Sequence, residues 1–571
     1  MYLTQEISWL IVWYTNQDTS SELEMKTSNF DALIVGAGPV GLTLASALSH
    51  QGLKYRLIEK NAVPTDKSKA LVLWSRSLEL FAPLGLTQAF IDRGNKAKGG
   101  SVYADGKRIV HFELTGDDSP FGFPLMIPQN ETERVLSEHL QSHGATIERR
   151  VELVSFVEGP DSVVCQIRNA DGHEESVEAS WLIGCDGAHS TVRKSAGMPF
   201  TGHAEPNDWM LADIHIQGVL PEDEVSVFLH AKGALVFFPI TRDRFRMIAD
   251  LGQADASVQR ADPTLADAQA KVDERGPGGL ILSDPVWLSN FRINERKVEK
   301  YRRGRVMLAG DAAHIHSPAG GQGMNTGMQD VFNLAWKLAL AQRGQGRTET
   351  LLDSYSLERS AIGDQVLKAA EVFTTIATLR NPIAQSLRNH VAPILTSFQF
   401  VRDKVRRNWS EISINYRHGP LCSQQWPSLT GGLAPGDRLG DAPLASTLDS
   451  HASTLLQTLD GKRHSLLLLS GKDTESVSKL IAIAEETNQA FPGILAAHLI
   501  LERNTANPDA ATSGVAVWED TEARAHEQLH AKHATLVLVR PDGYIGFRCQ
   551  PADGTALRAY MQSYLIPAKA A

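Results

Sequence analysis

The stretch Gly36-Ala37-Gly38-Pro39-Val40-Gly41 constrains this chain more than any other, because it sets three glycines at fixed offsets between an apolar run and a helical pattern. Phe30 to Val35 (F-D-A-L-I-V) suits a buried parallel strand. Leu42 to Leu48 follows with helical spacing, and Tyr55 to Ile58 reads as a second strand, so the segment is a β-α-β unit. Gly36 permits a tight turn, Gly38 lets backbone approach a pyrophosphate, and Gly41 lets the helix pack closely on the strand. Pro39 and Val40 open the helix, whose free N–H groups and partial positive charge favour phosphate. Glu59, followed by Lys60, closes the second strand, where a carboxylate can accept ribose hydroxyls. A dinucleotide is the expected ligand. The acid suits FAD and NAD alike, since each carries an adenosine ribose.

At 571 residues the chain is longer than one core serves, so two or three domains are expected. The net charge is -10, and the basic residues are dispersed, gathering only in short pairs such as Arg302-Arg303 and Arg406-Arg407. Such a surface tracks no phosphate backbone, so nucleic acid is not an expected partner. The 4 cysteines, Cys165, Cys185, Cys422 and Cys549, form no C-x-x-C pair, which argues against a zinc site, a disulfide framework and a redox dithiol. A reducing cytoplasm is the expected compartment. Ile7 to Tyr14 is apolar but far shorter than the ~20 residues a helix needs to cross a bilayer. Residues 1–28 are therefore expected to be a disordered extension, with no membrane span.

Further along, Val163 to Ile167 and Glu175 to Ile183 read as strands that lead into Gly184-Cys185-Asp186-Gly187. Residues 205–285 change character: Met210 to Ile216, Val225 to Leu229, Ala234 to Pro239 and Phe245 to Ala249 alternate as an antiparallel sheet does. Val306 to Ala309 is one more strand, Asp330 to Ala341 is a long helix, and residues 350–410 stay helical with breaks expected at Pro382 and Pro393. Pro and Gly gather between Gly419 and Leu433, and beyond them Ser465 to Leu469 and Leu536 to Val539 read as strands of a separate small α/β unit.

Two later segments choose between the cofactors. They are Gly184-Cys185-Asp186-Gly187-Ala188-His189-Ser190-Thr191-Val192-Arg193 and the run from Gly310-Asp311-Ala312-Ala313-His314 through Pro318-Ala319-Gly320-Gly321-Gln322-Gly323-Met324-Asn325. With the N-terminal turn they resemble the three motifs of class A FAD-dependent aromatic hydroxylases, the para-hydroxybenzoate hydroxylase family. The likeness is closer to its phenol, pentachlorophenol and 3-hydroxyphenylpropionate hydroxylase branch, and it spans residues 29 to 569. It implies an α/β fold: a Rossmann-like FAD-binding domain (29–204 and 286–418), an interleaved antiparallel substrate sheet (205–285) and a thioredoxin-like C-terminal domain (430–571).

The same resemblance carries roles onto residues. Asp311 is expected to hold the ribityl chain, and Gly310, Gly323, Met324 and Asn325 to set backbone donors against the flavin edge where negative charge builds on reduction. Asp186 falls in a motif that serves both FAD and the nicotinamide donor, with Arg193 as its basic partner. Gln129 matches a flavin contact and Leu153 a backbone contact near the adenine. Lys69-Ala70 stands where the family has Arg-Ala, which keeps the charge and loses the bidentate fork. Arg246 matches a flavin-ring contact that helps the ring swing between positions, and Pro318 a carbonyl beside the reacting carbon. Phe238-Pro239 occupies the place of the residues that hold a benzoate carboxylate, so an apolar wall suited to a phenol or fused aromatic is expected.

The implied reaction uses NADPH or NADH to reduce the flavin. Dioxygen adds at C4a, and the hydroperoxide's outer oxygen attacks the ring. No catalytic acid, base or nucleophile is assigned, because the protein's part is to orient substrate and exclude water. A homodimer is implied as well. Other outcomes on the same fold are loss of a halogen, ring cleavage, inactivation of an aromatic antibiotic, oxidation without oxygen insertion, and flavin binding without turnover. The pair His314, His316 lacks a third ligand pattern, so no metal is expected there.

Overall fold

The computed structural model describes residues 30–116, 118–253, 260–318, 320–426, 431–446, 452–471, 477–502 and 515–568. The expected extension at 1–28 lies outside the described residues, as does Ala319.

The elements that carry the argument, in chain order, begin with β1 (Phe30–Val35), α1 (Pro39–Gln51), β2 (Tyr55–Glu59), α2 (Gln129–Ser142), β3 (Glu174–Gly184) and α3 (Thr191–Ser195). They continue with β4 (Thr201–Gln217), β5 (Leu235–Pro239), β6 (Arg244–Gln253), β7 (Ile281–Lys297), β8 (Val306–Leu308), α4 (Gly323–Gln342), α5 (Thr348–Ala377), α6 (Pro382–Ser397) and α7 (Gln399–Trp409). The C-terminal part adds β9 (His464–Leu469), α8 (Val477–Ala490), β10 (Leu495–Glu502), β11 (Thr535–Val539) and β12 (Ile545–Cys549).

The first sheet has a parallel core ordered β8-β3-β1-β2 and then Ile147–Arg149. β1 sits in its middle: Ala32, Leu33 and Ile34 are fully buried, as a strand covered on both faces must be. α1 packs between the sheet and α4 as a mostly apolar helix of small residues, with Pro39 at its start and Gly52 in the left-handed conformation closing it. Because β2 and β3 flank β1 on opposite sides, the chain reverses direction of sheet growth at β1, and a crevice opens at the carboxyl ends of these strands.

The second sheet is ordered His314–Ile315, β7, β4, β6, β5, Glu224–Leu229, Gly99–Ala104 and Lys107–Glu113. It reaches well beyond residues 205–285. Gly99–Ala104 joins it by parallel pairing with Glu224–Leu229, a long-range contact that no local alternation announces. The edge strand His314–Ile315 comes from the Gly310 motif itself, which ties the two sheets together.

The helices after α4 depart from expectation at one point. A break occurs before Pro382, whose helix is capped by the Asn381 side chain on the N–H groups of Ile383 and Ala384. The break expected at Pro393 does not occur: it lies inside α6. A proline forfeits one backbone bond there, and the Thr396 hydroxyl takes the Ala392 carbonyl at 2.8 Å.

In the C-terminal part β9 is central, with β10 parallel on one side and β11 then β12 antiparallel on the other. It is bolted to α4 and α5 by buried charge. Arg540 forks onto Glu358 at 2.7 and 2.9 Å, and Lys337 of α4 donates to the same carboxylate at 2.7 Å. Two cations hold the Glu358 carboxyl down at about 2 despite its complete burial. Among the described residues no helix is long and apolar enough to cross a membrane.

Candidate active site

The glycine turn works by contact in two places and by openness in a third. Gly36 has φ 104°, and a Cβ there would stand 2.5 Å from the Cys185 carbonyl oxygen. A Cβ on Gly41 would run into the Gly36 carbonyl oxygen. A Cβ on Gly38 would meet nothing within 4 Å, so Gly38 faces open space at the mouth of α1. Val40 points the other way, against Gly310 and Gly327, which joins the turn to the third motif.

Glu59 braces this turn. Its Oε2 accepts the Ala37 N–H at 2.9 Å, and its Oε1 accepts from Asn61, backbone at 2.9 Å and side chain at 2.6 Å. Lys60 and Lys69 are exposed beside it. Gln129 clamps the Lys69-Ala70 segment reciprocally: its N–H donates to the Ala70 carbonyl at 3.0 Å, and its Oε1 accepts the Ala70 N–H at 3.2 Å. Gln129 also donates to Glu133 at 2.9 Å. Burial raises the Glu133 carboxyl, and nearby Arg149, Glu59 and Lys69 also act on it, so these residues converge on one side of the crevice. Leu153 is a core side chain behind them, two residues past Val151, whose N–H binds the Glu59 carbonyl at 3.1 Å.

Asp186 is spent on α3: its carboxylate accepts the Thr191 and Val192 N–H groups at 2.6 and 3.2 Å and the Ser190 hydroxyl at 2.5 Å. Arg193 does not reach for that carboxylate. It donates to the Ala188 carbonyl at 2.8 Å and the Ala312 carbonyl at 3.0 Å, with Phe200 under its guanidinium at 3.9 Å. The Asp186 charge still acts on it, so the two are electrostatic neighbours without a hydrogen bond between their side chains. Arg193 fastens the second motif to the third.

In the third motif Gly310 has φ 58°, and its N–H donates to Asp330 of α4 at 3.0 Å. Asp330 also binds His314 at 2.8 Å and Arg359 at 2.7 Å, all fully buried. Asp311, next in sequence, is exposed, yet desolvation pushes its carboxyl above the usual carboxylate range. His316 stacks on His314, donates its Nδ1–H to the Ser317 carbonyl at 2.8 Å, and is held neutral by burial with a pKa of about 4. The first residues of α4, Gly323, Met324 and Asn325, precede its first intrahelical bond, from the Thr326 N–H to Gln322. Their N–H groups are therefore free of the helix ladder. Asn325 uses its side chain on Trp74, Val72 and Gly321, which locks the loop before α4 against β-strand residues far away in sequence.

The wall opposite is aromatic. Phe238 packs in one cluster with Val72, Trp74, Phe112, Ile240 and Trp409. Trp409 meets Phe112 at 5.1 Å edge-on and Phe373 at 5.6 Å, and the Trp74 indole donates to Gly320 at 3.1 Å. Pro318 is exposed just before that loop. Pro239 does not join the wall: strand alternation turns Phe238 and Ile240 to this face and Pro239 to the face of Phe237. Arg246 is buried, and Asp213, opposite it on β4, takes both guanidinium arms at 2.8 Å. Its remaining arm meets the Lys69 carbonyl at 3.3 Å. Phe112, Phe373 and Trp409 carry no local signal and were not legible as site residues. A separate cavity of about 250 Å³, lined by Arg76, Leu80, Phe332, Trp336, Leu459 and Asp542 among others, lies between α4 and the C-terminal part and shares no residue with the three glycine-bearing motifs.

A nucleotide crevice at the switch point, closed by a second sheet with an aromatic inner wall, is the layout of a flavoprotein that acts on an aromatic compound. The FAD binding domain family model matches residues 29–370. The chain is 32% identical to 6-methylpretetramide 4-monooxygenase of Streptomyces rimosus over 547 residues, covering 94% of each. It is 29% identical to pentachlorophenol 4-monooxygenase of Sphingobium chlorophenolicum, covering 94% of this chain and 96% of that one. The solved structure of OxyS anhydrotetracycline hydroxylase from Streptomyces rimosus superposes with a TM-score of 0.72 at 28% identity, covering 95% of this chain and all of that one. The chain belongs to the FAD-binding family of flavin-dependent monooxygenases of aromatic compounds, with FAD as its cofactor.

Proposed function

We propose that this chain inserts one atom of dioxygen into a phenolic or fused-ring substrate held against Trp74, Phe112, Phe238 and Trp409. The observation that carries the reading is the junction of the two halves at one loop: Gly320 and Gly321 lie on Trp74 and Val72, while Gly323 to Asn325 open α4 immediately after. The fit to FAD rests on Gly38 facing open space and on an exposed Asp311 whose carboxyl is raised by desolvation.

In this reading Gly36 to Gly41 cradle the pyrophosphate, Glu59 and Lys60 border the adenosine, and Asp311 takes ribityl hydroxyls. Lys69, Ala70 and Gln129 line the side of the crevice, and Gly323, Met324 and Asn325 offer N–H groups to the flavin edge. Bound FAD supplies the redox chemistry, taking electrons from NADPH or NADH and passing them to dioxygen. The chain's own residues orient the ring, keep water out with the aromatic wall and hold the cofactor loop rigid. Arg246, its fork filled by Asp213, acts on the Lys69 segment rather than directly on a ring.

The C-terminal part is read as thioredoxin-like from its 12-11-9-10 strand order with helices between; lacking paired cysteines, it serves structure and not dithiol exchange. Unpaired cysteines support a reducing cytoplasm. A homodimer is the inferred assembly, and the exposed apolar side chains Ile383, Leu387 and Ile394 of α6 support an interface.

The test is NADH and NADPH oxidation by the FAD-loaded protein with a panel of phenols, naphthols and larger fused aromatics. Oxidation stimulated by fused rings and weakly by benzoates supports the reading. Oxidation indifferent to every aromatic overturns it.

A further inference from the structure

On the substrate sheet, away from the glycine turn, three metal-capable side chains meet. His203 of β4 pairs across the sheet with Glu295 of β7, and Glu205, two residues on, falls on the same face as His203. One donor atom from each lies within 4.8 Å of the others, with the His203 ring 3.4 Å from a Glu205 oxygen. Donors at about 2.0–2.2 Å from one ion stand roughly 3–4 Å apart, so small side-chain adjustments close the set.

The second observation concerns Glu295 alone. It is 5% exposed, and its Oε1 has no hydrogen-bond partner. Burial raises its carboxyl, which accepts the Ser317 N–H; its charged neighbours are the carboxylates Glu205 and Glu371 and the His203 imidazole. Among the described residues no lysine or arginine forms an ion pair with Glu205 or Glu295. A buried carboxylate oxygen without a donor, beside a second carboxylate and an imidazole, lacks a cation.

We propose that His203, Glu205 and Glu295 form a binding site for a first-row divalent metal ion, with zinc or manganese favoured by one nitrogen and two oxygen donors. The sequence conceals it, since the donors come from two strands some ninety positions apart. Strand pairing fixes the backbone of His203 and Glu295, and Glu205 follows on the same strand at the start of a register shift. Glu295 also holds Ser317, the residue before Pro318, so an ion there anchors the loop that borders the aromatic wall.

The test titrates tag-free, chelator-treated, FAD-loaded protein with zinc chloride by calorimetry, with manganese and calcium chloride in parallel. The expected result is one zinc or manganese site whose affinity falls about tenfold or more in Glu295→Gln and in His203→Ala, with visible flavin spectrum and FAD content unchanged. His203 is exposed, so its variant folds even where Glu295→Gln does not. Equal binding by wild type and His203→Ala, preference for calcium, or no zinc or manganese binding overturns the proposal.

Discussion

The Asp330 carboxylate accepts the Gly310 N–H at 3.0 Å, so the residue before Asp311 is held from inside the protein by α4. The same carboxylate pairs with Arg359, which in turn donates to the Thr326 carbonyl at 3.0 Å and the Tyr416 hydroxyl at 2.9 Å. The cofactor loop, the first turn of α4 and the approach to the C-terminal part therefore share one buried ion pair.

Asp330→Asn keeps the shape and an acceptor for Gly310 but leaves Arg359 charged and unpaired. Breaking a buried pair costs about 3–5 kcal/mol. The variant is expected to melt well below wild type without FAD and to lose FAD on gel filtration. An unchanged melting temperature would show that the pair does not hold the loop.

Gly38 and Gly41 separate two roles that a glycine motif usually merges. Gly38→Ala places its methyl in open space, so the cofactor-free protein should melt within about 0.5 kcal/mol of wild type while FAD affinity falls. Gly41→Ala drives a methyl into the Gly36 carbonyl and should destabilise the cofactor-free protein by about 1–3 kcal/mol. Urea melts with and without FAD distinguish them, and similar behaviour of the two would contradict the geometry.

Asp311→Ala removes a carboxyl that the cofactor-free protein desolvates. The variant should be as stable as wild type or more so without FAD, and bind FAD weaker by about 1.5–3 kcal/mol, the worth of hydrogen bonds to a charged group. Flavin fluorescence quenching measures the affinity; wild-type affinity would remove Asp311 from the site.

Glu411 gives the clearest pH dependence. It is fully buried, accepts from Gln329 at 2.5 Å, and desolvation raises its pKa from 4.5 to about 8. The folded state then holds a proton that the unfolded state releases. Its contribution to stability is complete below about pH 4.5 and is lost as pH rises through about 8. Glu411→Gln should flatten this fall and raise stability at pH 8 by about 1–3 kcal/mol. Parallel melts from pH 5 to 9 test it, and a variant with the wild-type slope would show that another group is responsible.

Local chemistry was legible in the sequence and long-range pairing was not. The turn from Gly36 to Gly41 was legible from its three glycines, although the demand on Gly36 comes from Cys185, far along the chain, and only that on Gly41 arises within the β-α-β unit. The aromatic wall joins Trp74, Phe112, Phe238 and Trp409 from four distant segments, and nothing near Trp409 marks it. Arg246 was expected from the resemblance to be a flavin contact, and its ion pair with Asp213 on the neighbouring strand was not legible. Pro239 was placed beside Phe238 although neighbours on a strand face opposite ways. Pro393 was read as a break, yet it stays within α6.

The central claim is that an oxygen atom from dioxygen enters an aromatic ring. The direct measurement supplies heavy-isotope dioxygen to the FAD-loaded protein with NADPH or NADH and the aromatic that best stimulates oxidation, and reads the product by mass spectrometry. The account predicts a product carrying one heavy oxygen, formed in step with nicotinamide oxidation. Nicotinamide oxidation that yields only hydrogen peroxide, or a product whose oxygen comes from water, would contradict it.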